Sequence, residues 1–148
     1  MLISQKSKEI IDSCRFCWMC RHICPIGNVT GQERNTARAR MLALSLVERE
    51  AEPLSGVADN IYECSLCGAC TKECVTGWDP VMAVKEVRSE LIMNGETPDY
   101  IMKLVENIQK YGNVYGESKI DSALKKEIES LPKNADTLLL IGRDAMYK

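Results

Sequence analysis

The chain has little of several things that usually announce a function. Among 148 residues there is one histidine and one phenylalanine, and aromatics make up only 5%. A core with so few rings must be aliphatic, drawn from Leu, Ile, Val, Met and Ala. Neither charge dominates: 19 Lys and Arg face 21 Asp and Glu, a net of −2. That balance argues against nucleic-acid binding, which usually shows as a strongly basic domain. No apolar run reaches the ~20 residues needed to cross a bilayer. The first residues, Met1 to Glu9, turn polar at once, unlike a signal peptide, so a cytoplasmic location is expected. No G-x-G-x-x-G follows a strand and no H-E-x-x-H occurs, so no nicotinamide, flavin or zinc-protease motif is expected. What remains, 45% hydrophobic and 27% charged residues, is an ordinary globular composition. A chain of this length can bury ~68–70% of its unfolded surface without staples.

Cysteine is what the chain has in plenty. Eight fall in two runs, Cys14, Cys17, Cys20 and Cys24, then Cys64, Cys67, Cys70 and Cys74. Each run reads C-x2-C-x2-C-x3-C, and the second is the first displaced by 50 positions, a shift that also relates Gly27 to Gly77. The internal repeat is therefore of a site. In a reducing compartment disulfides are disfavoured. Structural zinc uses separated C-x2-C pairs, and its tetrahedral geometry has no use for three cysteines so close together. The spacing instead suits a cubane cluster. Three cysteines wrap a short loop around one body, and the fourth, facing away, ligates the other cluster of a two-cluster ferredoxin. The expected ligands are Cys14, Cys17, Cys20 and Cys74 for one 4Fe–4S cluster. Cys64, Cys67, Cys70 and Cys24 are expected to hold the other. Pro25 after Cys24 matches the C-P ending of the bacterial run; Val75 after Cys74 departs from it without removing a ligand.

Between and after the runs, apolar spacing reads as helix. Leu2, Ile3, Ile10 and Ile11 mark a first helix ending near Ser13. A Gly-rich turn is expected at Gly27–Gly31, then a helix over 34–50 with Ala37, Met41 and Leu44 inward, ended by Pro53. Leu54, Val57, Ala58 and Ile61 suggest a short helix over 54–62. Asp79 is a natural N-cap with Pro80 at the first helical position. Val81, Val84, Val87, Leu91 and Ile92 should face inward, with Gly95 as the stop. Thr97-Pro98 opens another helix, with Ile101, Leu104, Val105 and Ile108 inward and Gly112 ending it. Ser118 is expected to cap a polar helix to Leu131. Thr137–Ile141 is the one strand signal, and it has no partner in the chain. The expected class is all-α, two helix–loop–helix halves around two clusters, related by a pseudo-two-fold axis. Residues 1–112 would form the cluster domain. Residues 113–148 would form a C-terminal helical tail with one short strand, serving for docking or opening an incomplete cysteine-rich domain.

With those residues in hand, the chain resembles the α-helical ferredoxin domain. It looks closest to iron–sulfur subunits related to heterodisulfide reductase subunits C and D. That group includes the glycolate oxidase iron–sulfur subunit, the anaerobic glycerol-3-phosphate dehydrogenase C subunit and the lactate-utilisation iron–sulfur protein. The two cysteine runs carry the resemblance, with Asn35-Thr36-Ala37-Arg38-Ala39-Arg40 and Gly112-Asn113-Val114-Tyr115-Gly116. The last is similar to the family's Gly-Asn-Pro-aromatic-Gly. Fused members continue into a strand and a Gly-Cys pair; here Gly142 is followed by Arg143.

The resemblance implies an electron-transfer subunit with no substrate site of its own. A flavin-containing dehydrogenase or electron-transfer flavoprotein would be its partner, and a cysteine-rich subunit could be another. A free ferredoxin-like carrier and an iron–sulfur redox sensor are the alternatives. Four features stand beside the cysteines. Trp18 either shields a cluster or is a packed surface aromatic. His22 either tunes a cluster or ligates iron, or else faces solvent, as expected of a site whose thiolates are complete without it. Arg34, Arg38 and Arg40 either offset cluster charge and dock an acidic partner, or form a solvated helix face. The seven methionines are mostly core filler.

Overall fold

Ser4 starts the first helix. Its backbone is extended and its hydroxyl accepts the Ser7 N–H at 3.2 Å, satisfying a donor that the first turn leaves free. In the computed structural model residues 4–14, 16–117 and 119–147 are described. Leu2, Ile3 and the expected cap Ser118 lie outside them. Two compact units emerge, Met1–Pro98 and Asp99–Lys148. The helix after Pro98 thus groups with the tail, although the sequence reading placed it with the cluster domain.

The first unit is helical throughout its regular structure. Helix α1 (Gln5–Ser13) runs into Cys14. Where a Gly-rich turn was expected, Pro25 instead opens a short helix α2 (Pro25–Thr30), ended by Gly31 at φ +65°. Helix α3 (Ala37–Glu48) is preceded by a separate 3-10 turn, Glu33–Asn35. The expected single helix over 34–50 is broken because Thr36 is extended and caps α3 with its hydroxyl, accepting the Ala39 N–H at 3.3 Å. The helix stops ahead of Pro53, where Glu50 takes φ +59°. A 3-10 turn, Leu54–Val57, leads into α4 (Ala58–Tyr62), and α5 (Ala69–Lys72) sits inside the second cysteine run. Helix α6 (Pro80–Met93) begins as the sequence suggests. Asp79 accepts the N–H groups of Val81 and Met82 at 3.0 and 3.3 Å, with Pro80 in the first position.

These helices share one aliphatic core. Ile10 and Ile11 from α1 meet Met41 and Leu44 from α3, Val57, Ala58 and Ile61, and Ala83, Val84, Val87 and Leu91 from α6. Ile92, expected inward, is 61% exposed, because one residue beyond Leu91 lies a full 100° round the helix. Glu86 fastens α6 to the start of α1: its carboxylate accepts the N–H and the hydroxyl of Ser4, each at 2.8 Å.

The second unit holds α7 (Asp99–Tyr111), α8 (Ser122–Ser130) and α9 (Arg143–Met146). Leu104, Val105 and Ile108 were expected to face inward but are exposed, and among the described residues of this unit no apolar side chain is buried. Asp121 caps α8, accepting from the N–H groups of Ala123 and Leu124. Asn113 is buried and ties the Gly112–Gly116 loop. It donates to the carbonyls of Tyr111 and Glu117 and accepts from the N–H groups of Tyr115 and Gly116. Residues 137–141 are not a strand, and none occurs among the described residues. Without a neighbour to supply hydrogen bonds, an isolated apolar run has no reason to stay paired as one.

Candidate cluster-binding site

Each cysteine run leaves a helix and enters a loop at its first cysteine. Cys14 follows α1 and Cys64 follows α4. Two residues on, the backbone turns left-handed at a side chain that is not glycine: φ is +49° at Phe16 and +54° at Leu66. The strained turn aims the N–H of Leu66 at the Cys64 sulfur, 3.5 Å away, and the N–H of Phe16 bonds Cys14 in the same way. A donor so placed stabilises a thiolate over a thiol.

Two arginines clamp these loops from the packed helices. Arg38 of α3 donates to the Phe16 carbonyl at 2.6 Å and to Glu33 at 3.0 Å; Glu33 also pairs with Arg21. From α6, Arg88 donates to the carbonyls of Ile61, Tyr62 and Cys64. Each guanidinium also lies over a ring, Arg38 4.8 Å from Trp18 and Arg88 5.0 Å from Tyr62. Arg21 covers the Trp18 ring as well, at 5.0 Å. Trp18 is 60% exposed and so is a surface aromatic held between two cations. His22 faces solvent. Arg34 is exposed and paired with Glu63 at 2.9 Å, as a solvated face would have it. Arg40 is the opposite case, 1% exposed, and cannot belong to such a face.

The thiols influence one another within each run and between the two runs. Burial pushes Cys20 up to about 11, and nearby Cys14, Cys17 and Cys74 push the same way. Cys14 is raised by burial and by Cys74 and Cys17. Cys70 is pushed up to about 11 by burial, with Cys64, Cys20 and Cys67 adding to it. Cys74 differs. Burial raises it, but the Thr76 hydroxyl at 3.1 Å and the N–H groups of Thr76, Trp78 and Gly77 more than offset that and leave it lowered. The charge on Cys74 thus acts on Cys14 and Cys20 of the other run. Cys24 stands apart, buried, donating to the Asn35 carbonyl at 3.5 Å. Among the described residues no three His, Cys, Asp or Glu side chains converge on a point that would suit one metal ion.

Residues 10–78, which contain all eight cysteines, match the 4Fe-4S dicluster domain family. The chain carries an iron–sulfur dicluster domain. Over 137 residues it is 23% identical to an uncharacterized iron-sulfur protein of Methanocaldococcus jannaschii. That alignment covers 90% of this chain and 28% of the relative, so the chain spans less than a third of the relative's length.

Two 4Fe–4S clusters are the cofactors this dicluster protein takes, and its donor set fits them. Eight free thiols stand in two runs, with N–H groups turned toward several sulfurs. One buried donor, Arg40 Nη2, has no partner among the protein's own atoms. Arg88, Glu33, Phe16 and Leu66 went unread in the sequence. The 50-residue displacement that relates the cysteines also relates Phe16 to Leu66 and Arg38 to Arg88, and would have found them. The two related glycines turn out to serve different ends. Gly77 takes φ +71°, whereas Gly27 has no room, since an added Cβ would sit 2.8 Å from Thr36 Cγ2.

Proposed function

We propose that this protein is the electron-transfer subunit of a multi-subunit oxidoreductase, relaying single electrons between a flavoprotein partner and another redox centre. The clusters, when bound, supply one-electron chemistry. The chain's own residues hold, space and shield them. Cys14, Cys17, Cys20 and Cys74 hold one cluster; Cys64, Cys67, Cys70 and Cys24 hold the other. What supports this crossed arrangement is the influence of Cys74 on Cys14 and Cys20 across the two runs. Sharing one cysteine each way locks the halves together and fixes the distance between the clusters, which is what a relay needs.

The finer kinship follows from the same residues. The cysteine runs, the Asn35–Arg40 segment and the Asn113-centred loop are similar to iron–sulfur subunits of the heterodisulfide reductase C/D, glycolate oxidase and glycerol-3-phosphate dehydrogenase group. A flavin dehydrogenase or electron-transfer flavoprotein then provides the electrons, and a cysteine-rich subunit is a second partner. Reduced thiols suit a cytoplasmic setting. Anaerobic purification of the native protein tests the assignment. A flavin-containing subunit should co-elute with it through size exclusion. Elution alone, with both clusters present, would make it a free carrier.

A further inference from the structure

Arg40 is the most deeply buried charge in the first unit, 1% exposed. Its Nε donates to the Asn60 carbonyl at 2.9 Å and its Nη1 to the Asn35 carbonyl at 2.8 Å. Nη1 also lies 4.0 Å from the Cys24 sulfur. Nη2 is buried without a partner, and no carboxylate pairs with this guanidinium among the described residues. Burying an uncompensated charge is strongly unfavourable. What lies within its reach is sulfur, which carries negative charge once it ligates iron. Besides Cys24, the side chain lines a small gap with Cys64, Ala37, Met41, Val81 and Val84. Cys24 and Cys64 come from different runs, and the crossed arrangement gives both to one cluster.

The other half offers no equivalent. Fifty positions on, the residue is Glu90, also buried but acidic, and it lines a groove with Glu50, Glu52 and Asn94 that contains no cysteine. Beside the first loop, Arg21 and Arg38 share the Glu33 carboxylate, so their charge is already partly offset. We infer that Arg40 is the counter-charge of the cluster that Cys24 holds, and that it sets this cluster's reduction potential above that of the other. Reduction adds one negative charge, which a buried, unscreened cation stabilises more than it stabilises the oxidised form. The pair is therefore electrically unequal, and an electron delivered to it comes to rest beside Arg40.

The inference rests on the proposed crossed ligation, and one set of measurements separates the two. Full-length protein, loaded with iron and sulfide anaerobically, is titrated with dithionite under EPR. Cys14→Ser, Cys64→Ser and Cys24→Ser assign each signal to its ligands. If Cys24→Ser perturbs the Cys14 signal instead of the Cys64 signal, the crossed ligation fails, and Arg40 is still judged against whichever cluster Cys24 holds. Arg40→Gln should lower the midpoint potential of that cluster alone, while Arg40→Lys, which keeps the charge, should leave it near the parent value. Unchanged potentials in Arg40→Gln would overturn the inference. So would equal shifts in Gln and Lys, or a shift of the cluster that Cys24 does not hold. Should the Gln variant fail to take up iron, citrulline installed at position 40 removes the charge while keeping the shape and the Nε–H. A potential unmoved by that exchange overturns the inference equally.

Discussion

Arg38 and Arg88 stand fifty residues apart, and each donates its guanidinium to a carbonyl of its own half's cysteine loop, Phe16 in one case and Cys64, two positions off the equivalent place, in the other. The repeat therefore reaches beyond the cysteines to the left-handed turn and the clamp, whereas the rings under the clamps, Trp18 and Tyr62, are not related by the shift. Arg88→Ala would leave the carbonyls of Ile61, Tyr62 and Cys64 short of a donor, at a cost of about 1–3 kcal/mol. Its urea midpoint should fall, and iron should leave the second loop's cluster faster when a chelator is added. Arg38→Ala should speed loss from the first loop's cluster instead.

Leu66 tests the strained turn itself. A β-branched side chain tolerates φ near +54° poorly. Leu66→Ile, which conserves volume, should lose on the order of 1–2 kcal/mol. Denaturation of the loaded protein checks this; Leu66→Met, unbranched at Cβ, should lose much less.

Gly27 and Thr36 should show coupled energetics. Gly27→Ala places a methyl 2.8 Å from Thr36 Cγ2, and overpacking of this kind costs about 1–3 kcal/mol. Thr36→Ser removes that methyl and keeps the hydroxyl that caps α3. In the double-mutant cycle most of the loss should be recovered. Additive losses would mean the glycine is needed for another reason.

Much of this was legible in the sequence. The cysteine runs define the cofactor, and Asp79-Pro80, Gly95 and Gly112 mark helix ends because capping is a local property. Three kinds of feature were not. Thr36 breaks a helix that apolar spacing alone would continue, since its hydroxyl satisfies the backbone from an extended position. Arg40 reads as a surface charge on periodicity, and the carbonyls that accept from it, Asn35 and Asn60, are far apart in the chain. Leu104, Val105 and Ile108 form an apolar stripe, but a stripe shows only that burial is available, not that a partner is present in the same unit.

Glu86 should contribute to acid sensitivity. Burial pushes its carboxyl up, but the N–H and hydroxyl of Ser4 outweigh this, with Lys6 helping, and its pKa lies below the ordinary value. A folded-state value below the unfolded one gives stability that is complete at neutral pH. That contribution is lost as the pH falls from the ordinary carboxylate value of about 4.3 through the folded one. Urea midpoints of Glu86→Gln should be lower than the parent's at neutral pH and should converge on them in acid.

The crossing of Cys74 is tested most directly by EPR of the reduced protein carrying Cys74→Ser, set beside Cys14→Ser and Cys64→Ser. The two cluster signals should be altered in the pattern of Cys14→Ser, with the signal that Cys64→Ser abolishes left intact. A Cys74→Ser spectrum that instead reproduces Cys64→Ser would mean that each run holds its own cluster, contradicting the arrangement proposed here.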